Sequence, residues 1–181
     1  MNYIETEIKG VFVIEPRVFP DQRGYFLEAW KKEEFEQHVG HVDFIQDNES
    51  KSSRGVLRGL HYQKGDASQA KLVRVVKGAV LDVAVDLRRD SATFGRHVMV
   101  ELTDENKRQL FIPRGFAHGF LVLSDVAEFV YKVDDFYHPN DEGGLMWNDP
   151  DIGVKWPLAD GMEIKLSDKD KLHPAFKDYK K

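Results

Sequence analysis

Two short segments of this chain set a histidine among glycines. They are Val56-Leu57-Arg58-Gly59-Leu60-His61-Tyr62-Gln63 and Pro113-Arg114-Gly115-Phe116-Ala117-His118-Gly119-Phe120. An imidazole, with a reference pKa of about 6.5, moves protons at neutral pH and also binds metals. The chain has no cysteine, which excludes a thiol nucleophile, a disulfide framework and any Cys-ligated zinc or iron–sulfur centre. Without thiol or metal, His61 is best suited to general base catalysis. A histidine taken alone is more often a satisfied core or surface group. The nearby cations Arg58, Lys71 and Arg74 weigh against that, because charge close to an interior needs an anionic ligand or a carboxylate. Strand parity raises a difficulty: in an ideal strand Arg58 and His61 point to opposite faces. A bulge at Gly59 would bring both to one side. Tyr131 shares a strand face with Phe129 and Val133. An aromatic there is usually core, but a tyrosine is also able to act as a general acid, with a lysine such as Lys71 favouring its phenolate.

The elements that must position these groups are strands. In Val80–Leu87 the apolar set Leu81, Val83, Val85 and Leu87 alternates with Asp82, Ala84 and Asp86. Similar runs occur at Val11–Ile14, Tyr25–Ala29, Gly55–Tyr62, Lys71–Val76, His97–Glu101, Gln109–Ile112, Gly119–Leu123 and Ala127–Val133. Turn residues separate them, as at Lys77-Gly78 and Ser124-Asp125. Strands at this spacing, without long helical stretches between them, predict an all-β antiparallel sandwich or barrel. Lys31–His38 reads as one short helix anchored by Phe35. Ser167-Asp168-Lys169-Asp170 reads as a capping box opening a second. The Gly/Pro/Asp-rich stretch from Gly143 to Gly161 reads as an ordered loop wrapped on the sheets.

Composition sets outer bounds. With 181 residues, 41% of them hydrophobic, the chain is expected to form a single domain over residues 1–181. Its 26 basic and 31 acidic side chains give a net charge of −5, which argues against nucleic acid as a partner. Apolar runs of about four residues fall far short of the roughly twenty that cross a bilayer. The N-terminus carries acid where a signal peptide needs base, so a cytoplasmic protein with no membrane partner is expected. Lys177 to Lys181 reads as a solvated tail.

The two histidine segments resemble the two motifs of the cupins, double-stranded β-helix (jelly-roll) barrels. Metal-binding cupins carry a His-x-His pair and a nearby Glu in the first motif. Here Gln63 stands at the second position and no carboxylate follows before Asp66. That leaves His61 and His118 of a set that needs three or four ligands, so a metal-free cupin is expected.

A more specific resemblance runs in order from about residue 4 to residue 175. Phe19–Glu28, Gln46–Ser50, Gly55–Gln63, Lys71–Arg74, Asn106–Gln109, Ile112–Phe120, Glu128–Lys132, Glu142–Asp149 and Leu166–Asp170 are similar to the dTDP-4-dehydrorhamnose 3,5-epimerase family. The resemblance implies cofactor-free epimerisation of dTDP-4-dehydro-6-deoxy-D-glucose at C3 and C5, both of which flank the C4 ketone. It implies His61 as base, Asp170 as the carboxylate orienting it, Lys71 as enolate stabiliser and Tyr131 as proton donor on the other sugar face. Phe19, Arg23, Glu28, Gln46, Asn48, Arg58, Lys71, His118, Tyr137, Glu142 and Lys169 are implied in substrate binding. Arg23 and Arg58 suit a diphosphate, and Tyr137 suits stacking on thymine. Without the resemblance, Arg23 reads equally as a surface turn and Tyr137 as a loop cover. The family's exchanged N-terminal segment implies a homodimer in which Phe19–Glu28 completes the partner's site. Close relatives act at one carbon only or on a related ketosugar. A metal-dependent cupin and a non-catalytic sugar-binding cupin are the competing readings.

Overall fold

The computed structural model describes residues 1–159 and 161–179. The strands are β1 (Asn2–Glu5), β2 (Phe12–Glu15), β3 (Val18–Asp21), β4 (Gly24–Leu27), β5 (Gln46–Ser53), β6 (Leu57–Gln63) and β7 (Lys71–Lys77). They continue with β8 (Ala79–Asp86), β9 (His97–Thr103), β10 (Gln109–Ile112), β11 (Phe116–Val122), β12 (Val126–Val133) and β13 (Glu142–Gly144). Two short helices, α1 (Lys32–His38) and α2 (Phe176–Tyr179), complete the set. A six-stranded sheet of order β1-β2-β10-β7-β12-β5 faces a five-stranded sheet of order β13-β6-β11-β8-β9, and β3-β4 forms a separate hairpin. The pairings between these strands are antiparallel, so the all-β jelly roll expected of a cupin is the fold observed. No helix among the described residues is long and apolar enough to cross a membrane.

Apolar side chains fill the space between the sheets. Val73, Leu110, Ile112 and Phe129 of one sheet meet Val80, Val98, Leu102, Phe120 and Val122 of the other. Phe129 stacks on Phe120 with ring centroids 4.3 Å apart. Burying each such side chain is worth about 1.5–3 kcal/mol. Both sheets are also covered outside. Leu145, Ile152, Trp156 and Phe176 pack on the outer face of the five-stranded sheet, as expected for a loop wrapped on the sheets. Phe35 of α1, fully buried, packs with Phe111 and Leu72 on the six-stranded sheet. Lys177 is exposed; Lys180 and Lys181 of the expected tail lie outside the described residues.

This double covering gives β8 two buried faces. On β8 the apolar set Leu81, Val83, Val85 and Leu87 faces the outer layer. Val80 and Ala84 face the space between the sheets, and Asp82 shares their parity. Asp82 and Asp86 are fully buried. A correction concerns the helix expected after Ser167. The chain makes only a 3-10 turn at Asp170–Leu172, and the Asp170 N–H donates to Ser167 Oγ at 3.1 Å. The Asp170 carboxylate does not turn back to complete a capping box; it points to His61.

Candidate active site

The bulge at Gly59 is present. His118 of β11 pairs with His61 and Phe120 pairs with Arg58, so two steps along β11 match three along β6. Only glycine suits the extra position. Its φ is +122°, and a Cβ there would lie 2.6 Å from the Gly119 Cα. Arg58 and His61 therefore both line one cavity of about 170 Å³, with His118, Lys71 and Tyr131. The cavity lies between the two sheets. His61, Arg58 and His118 come from the five-stranded sheet; Lys71 of β7 and Tyr131 of β12 come from the six-stranded one.

Asp170 Oδ1 lies 2.5 Å from His61 Nε2, across 109 residues of sequence. Burial pushes the Asp170 carboxyl up, but hydrogen bonds and charge from His61, with Ser167 and His173, outweigh it and hold the group below its ordinary value. An ionised Asp170 accepts the Nε2–H, which leaves the Nδ1 lone pair of His61 free to take a proton. His173 Nε2 lies 3.2 Å from the same oxygen. His61, Asp170 and His173 each bring one nitrogen or carboxylate oxygen within 4.8 Å of the others, the one such grouping among the described residues. Of the two motif histidines, His61 and His118, only His61 belongs to this grouping. The two imidazoles in it both bond one carboxylate oxygen.

On the facing sheet, burial pulls the Lys71 ammonium down to about 8, against the attraction of Asp82. Lys71 Nζ sits 6.0 Å from the centroid of the Tyr131 ring. Burial pushes the Tyr131 phenol up, with Arg58 opposing. Lys71 does not bring the phenol down, as a lysine favouring the phenolate would. The phenol keeps its proton at neutral pH, the form in which it can donate one. His118 Nε2 lies 3.0 and 2.9 Å from the two oxygens of buried Asp82. Asp82 is a site residue that the sequence reading missed; its only signal was an acid at the parity of Val80 and Ala84.

A second polar group adjoins the cavity. Tyr137 donates its hydroxyl hydrogen to Glu142, which also pairs with Lys169. Burial raises the Glu142 carboxyl, but Lys169 and Tyr137 outweigh it and hold the group low. Register places Glu142 opposite Gln63 and Gly144 opposite His61. On β5, Asn48 stands opposite Tyr131, and Gln46 donates to Asn48 at 2.8 Å. Arg58 donates to Ser52 of the same strand at 3.1 Å. Arg74 lines a larger cavity of about 590 Å³ with Trp30, Gln109 and Lys132; Tyr131 and Glu49 line both this cavity and the smaller one, and Asn48 lines the larger.

Phe19, Arg23 and Glu28 are not brought to this cavity. Phe19 and Arg23 belong to the β3–β4 hairpin, where Arg23 pairs with Asp21 at 2.6 Å and leaves 90% of its side chain exposed. Glu28, just after the hairpin, is also exposed.

An imidazole of one sheet, held by a buried carboxylate of the 3-10 turn, faces a lysine and a protonated tyrosine of the other sheet. The family model described as dTDP-4-dehydrorhamnose 3,5-epimerase matches residues 5–178. The chain belongs to this family. A dTDP-4-dehydrorhamnose 3,5-epimerase of Shigella flexneri is 56% identical over 171 residues, covering 94% of this chain and 93% of the relative. The crystal structure of a dTDP-6-deoxy-D-glucose-3,5-epimerase from Legionella pneumophila, in complex with dTDP-4-keto-L-rhamnose, superposes with a TM-score of 0.93. It is 47% identical, over 97% of this chain and 93% of that one. A 3'-monoepimerase from Streptomyces bikiniensis in complex with dTDP-quinovose gives a TM-score of 0.90 at 38% identity, over 96% and 87% of the two chains. The dTDP-4-dehydrorhamnose 3,5-epimerase family thus shares its fold with an enzyme named for one carbon.

Proposed function

We propose that this chain epimerises dTDP-4-dehydro-6-deoxy-D-glucose at C3 and C5, giving dTDP-4-dehydro-L-rhamnose without a cofactor. The observation that carries the reading is the placement of His61 with Asp170 on one wall of a cavity and Tyr131 with Lys71 on the other. Inversion needs two faces, because a base returning its own proton restores the starting centre. His61 Nδ1 takes the proton from the carbon beside the ketone, and the C–H electrons move to form the enolate. The Lys71 ammonium stabilises the charge gathering on the C4 oxygen, a role worth a few kcal/mol when preorganised. Tyr131 then delivers its hydroxyl proton to the opposite face of that carbon as the ketone re-forms. Exchange with water reprotonates Tyr131 and deprotonates His61, and the second carbon follows by the same steps.

Arg58, His118, Gln46, Asn48, Glu142, Lys169 and Tyr137 are the proposed contacts of this chain to the dTDP-sugar. Phe19, Arg23 and Glu28 are proposed to serve the site of a second copy in a homodimer. In support, Phe19 and Phe26 of the hairpin are 44% and 64% exposed, more apolar surface than a solvated arm requires. The same reading takes the chain as one catalytic domain acting in the cytoplasm.

The test is product analysis by NMR after incubation of chelator-treated protein with dTDP-4-dehydro-6-deoxy-D-glucose. The L-rhamno product supports the reading. Inversion at C3 alone reduces it to a monoepimerase, and binding without inversion points to a sugar-binding cupin.

A further inference from the structure

His173 is an imidazole beside the base to which the proposed reaction assigns no step. It follows Asp170 by three residues across the 3-10 turn Asp170–Leu172, a spacing that puts both side chains on one side. Its Nε2 reaches the Asp170 oxygen already held by His61, and the two imidazole rings meet edge to face with centroids 5.4 Å apart. The His173 side chain is 8% exposed and that of Asp170 3%. The position is fitted to the ring. Gly144, opposite His61 on β13, leaves free the space that a Cβ would take from His173. Burial and the adjacent His61 hold the His173 imidazole below the usual histidine range, against the pull of Asp170. At neutral pH it is uncharged and has one N–H to give.

We infer that His173 is a positioning residue for the base: it donates a second hydrogen bond to Asp170 Oδ1, fixes that carboxylate, and takes a share of the charge that would otherwise act on His61 alone. The inference rests on His61 and Asp170 forming the base of the proposed reaction. An oxygen shared between two donors polarises each less than it would one. Removing the His173 donor returns the full charge of Asp170 to His61, which tightens that bond and favours the imidazolium. The base then becomes protonated at a higher pH. The other titratable and charged groups around His61 stay in place: Arg58 and His118 beside it on its own sheet, Lys71, Tyr131 and Glu49 on the facing sheet, and Glu142 and Lys169 behind it.

The experiment compares wild type with His173→Phe, which keeps a ring but no donor, and His173→Gln, which keeps an N–H. One readout is the acidic limb of kcat/KM for solvent-deuterium incorporation into the ketosugar. The other is the low-field NMR proton of the His61–Asp170 bond, recorded without substrate. In His173→Phe the limb is expected to move up by about half a pH unit with KM unchanged, and the low-field proton to move further downfield. In His173→Gln both are expected to return toward wild type. Two unmoved readouts in folded His173→Phe, or a His173→Gln that behaves like it, overturn the inference in favour of plain packing. Should His173→Phe fail to fold, Gly144→Ala, which pushes the ring off Asp170, carries the same expectations. A low-field proton that moves in a protein showing no deuterium incorporation supports the link from His173 to Asp170 while sinking the proposed reaction.

Discussion

His61 and Tyr131 stand on different sheets of the sandwich, on β6 and β12, yet line one cavity between them. The division of labour proposed for them predicts that their variants fail differently. His61→Ala is expected to abolish deuterium incorporation at both carbons. Tyr131→Phe is expected to keep incorporation from the His61 side while net inversion falls by about 10²–10⁴-fold, the usual contribution of one acid–base step. NMR of substrate and product reads both. Incorporation that survives intact in His61→Ala contradicts its assignment.

Lys71 gives the reaction an alkaline limit. Its ammonium is held down to about 8, so the charge that steadies the enolate is present below that pH and lost as pH rises through it. The kcat profile is therefore expected to fall with a midpoint near 8. Lys71→Arg, charged throughout, should remove that fall, and Lys71→Met should lower kcat by about 10²–10³-fold at every pH. A wild-type profile flat through pH 8 and beyond would argue against Lys71 as the stabiliser.

Gly59 ties the fold to the site. With φ at +122° and backbone 2.6 Å from where a Cβ would sit, Gly59→Ala must shift β6 or β11. The expectation is a stability loss of about 2 kcal/mol or more by denaturant titration, with activity lost as Arg58 and His61 separate. Full activity in the alanine variant would show that the bulge is dispensable.

Much of this arrangement was legible beforehand, and the exceptions share a physical cause. Glycine-flanked His61 and His118 pointed to chemistry on strands, and the opposite parity of Arg58 and His61 suggested the bulge at Gly59 that the structure contains. Alternation on β8 reported two faces but not which one faced inward, because both faces of that sheet are covered. Asp82 was therefore not singled out, although it supports His118 from within. The strand β5, Gln46–Ser53, carries no apolar residue and gave no alternation that marks a strand, although the resemblance covered Gln46–Ser50. Its half-buried face looks into a polar site, so polar residues fill the role that apolar ones fill elsewhere. His173 was missed because nothing in its local sequence pointed to it; its partner Asp170 read both as a helix cap and, by the resemblance, as the carboxylate orienting His61.

Asp86 offers a test of the scaffold apart from catalysis. Burial raises its carboxyl, but hydrogen bonds from Arg88, Ser91 and Thr93 outweigh it and bring the group down to about 2. A group lower in the folded state stabilises above its ordinary pKa, and the benefit disappears as pH falls through the folded value. Asp86→Asn is expected to cost about 2 kcal/mol at neutral pH, the difference shrinking between about pH 4 and pH 2. Urea titrations of both proteins across that range check it. A difference independent of pH would assign the cost to packing.

The central claim is that one cavity removes and returns protons at two carbons from opposite faces. Chelator-treated protein incubated with dTDP-4-dehydro-6-deoxy-D-glucose in deuterium oxide, followed by NMR at C3 and C5, tests it most directly. The account predicts deuterium at both carbons of an inverted product, lost in His61→Ala. Folded protein that leaves both carbons unlabelled would contradict it.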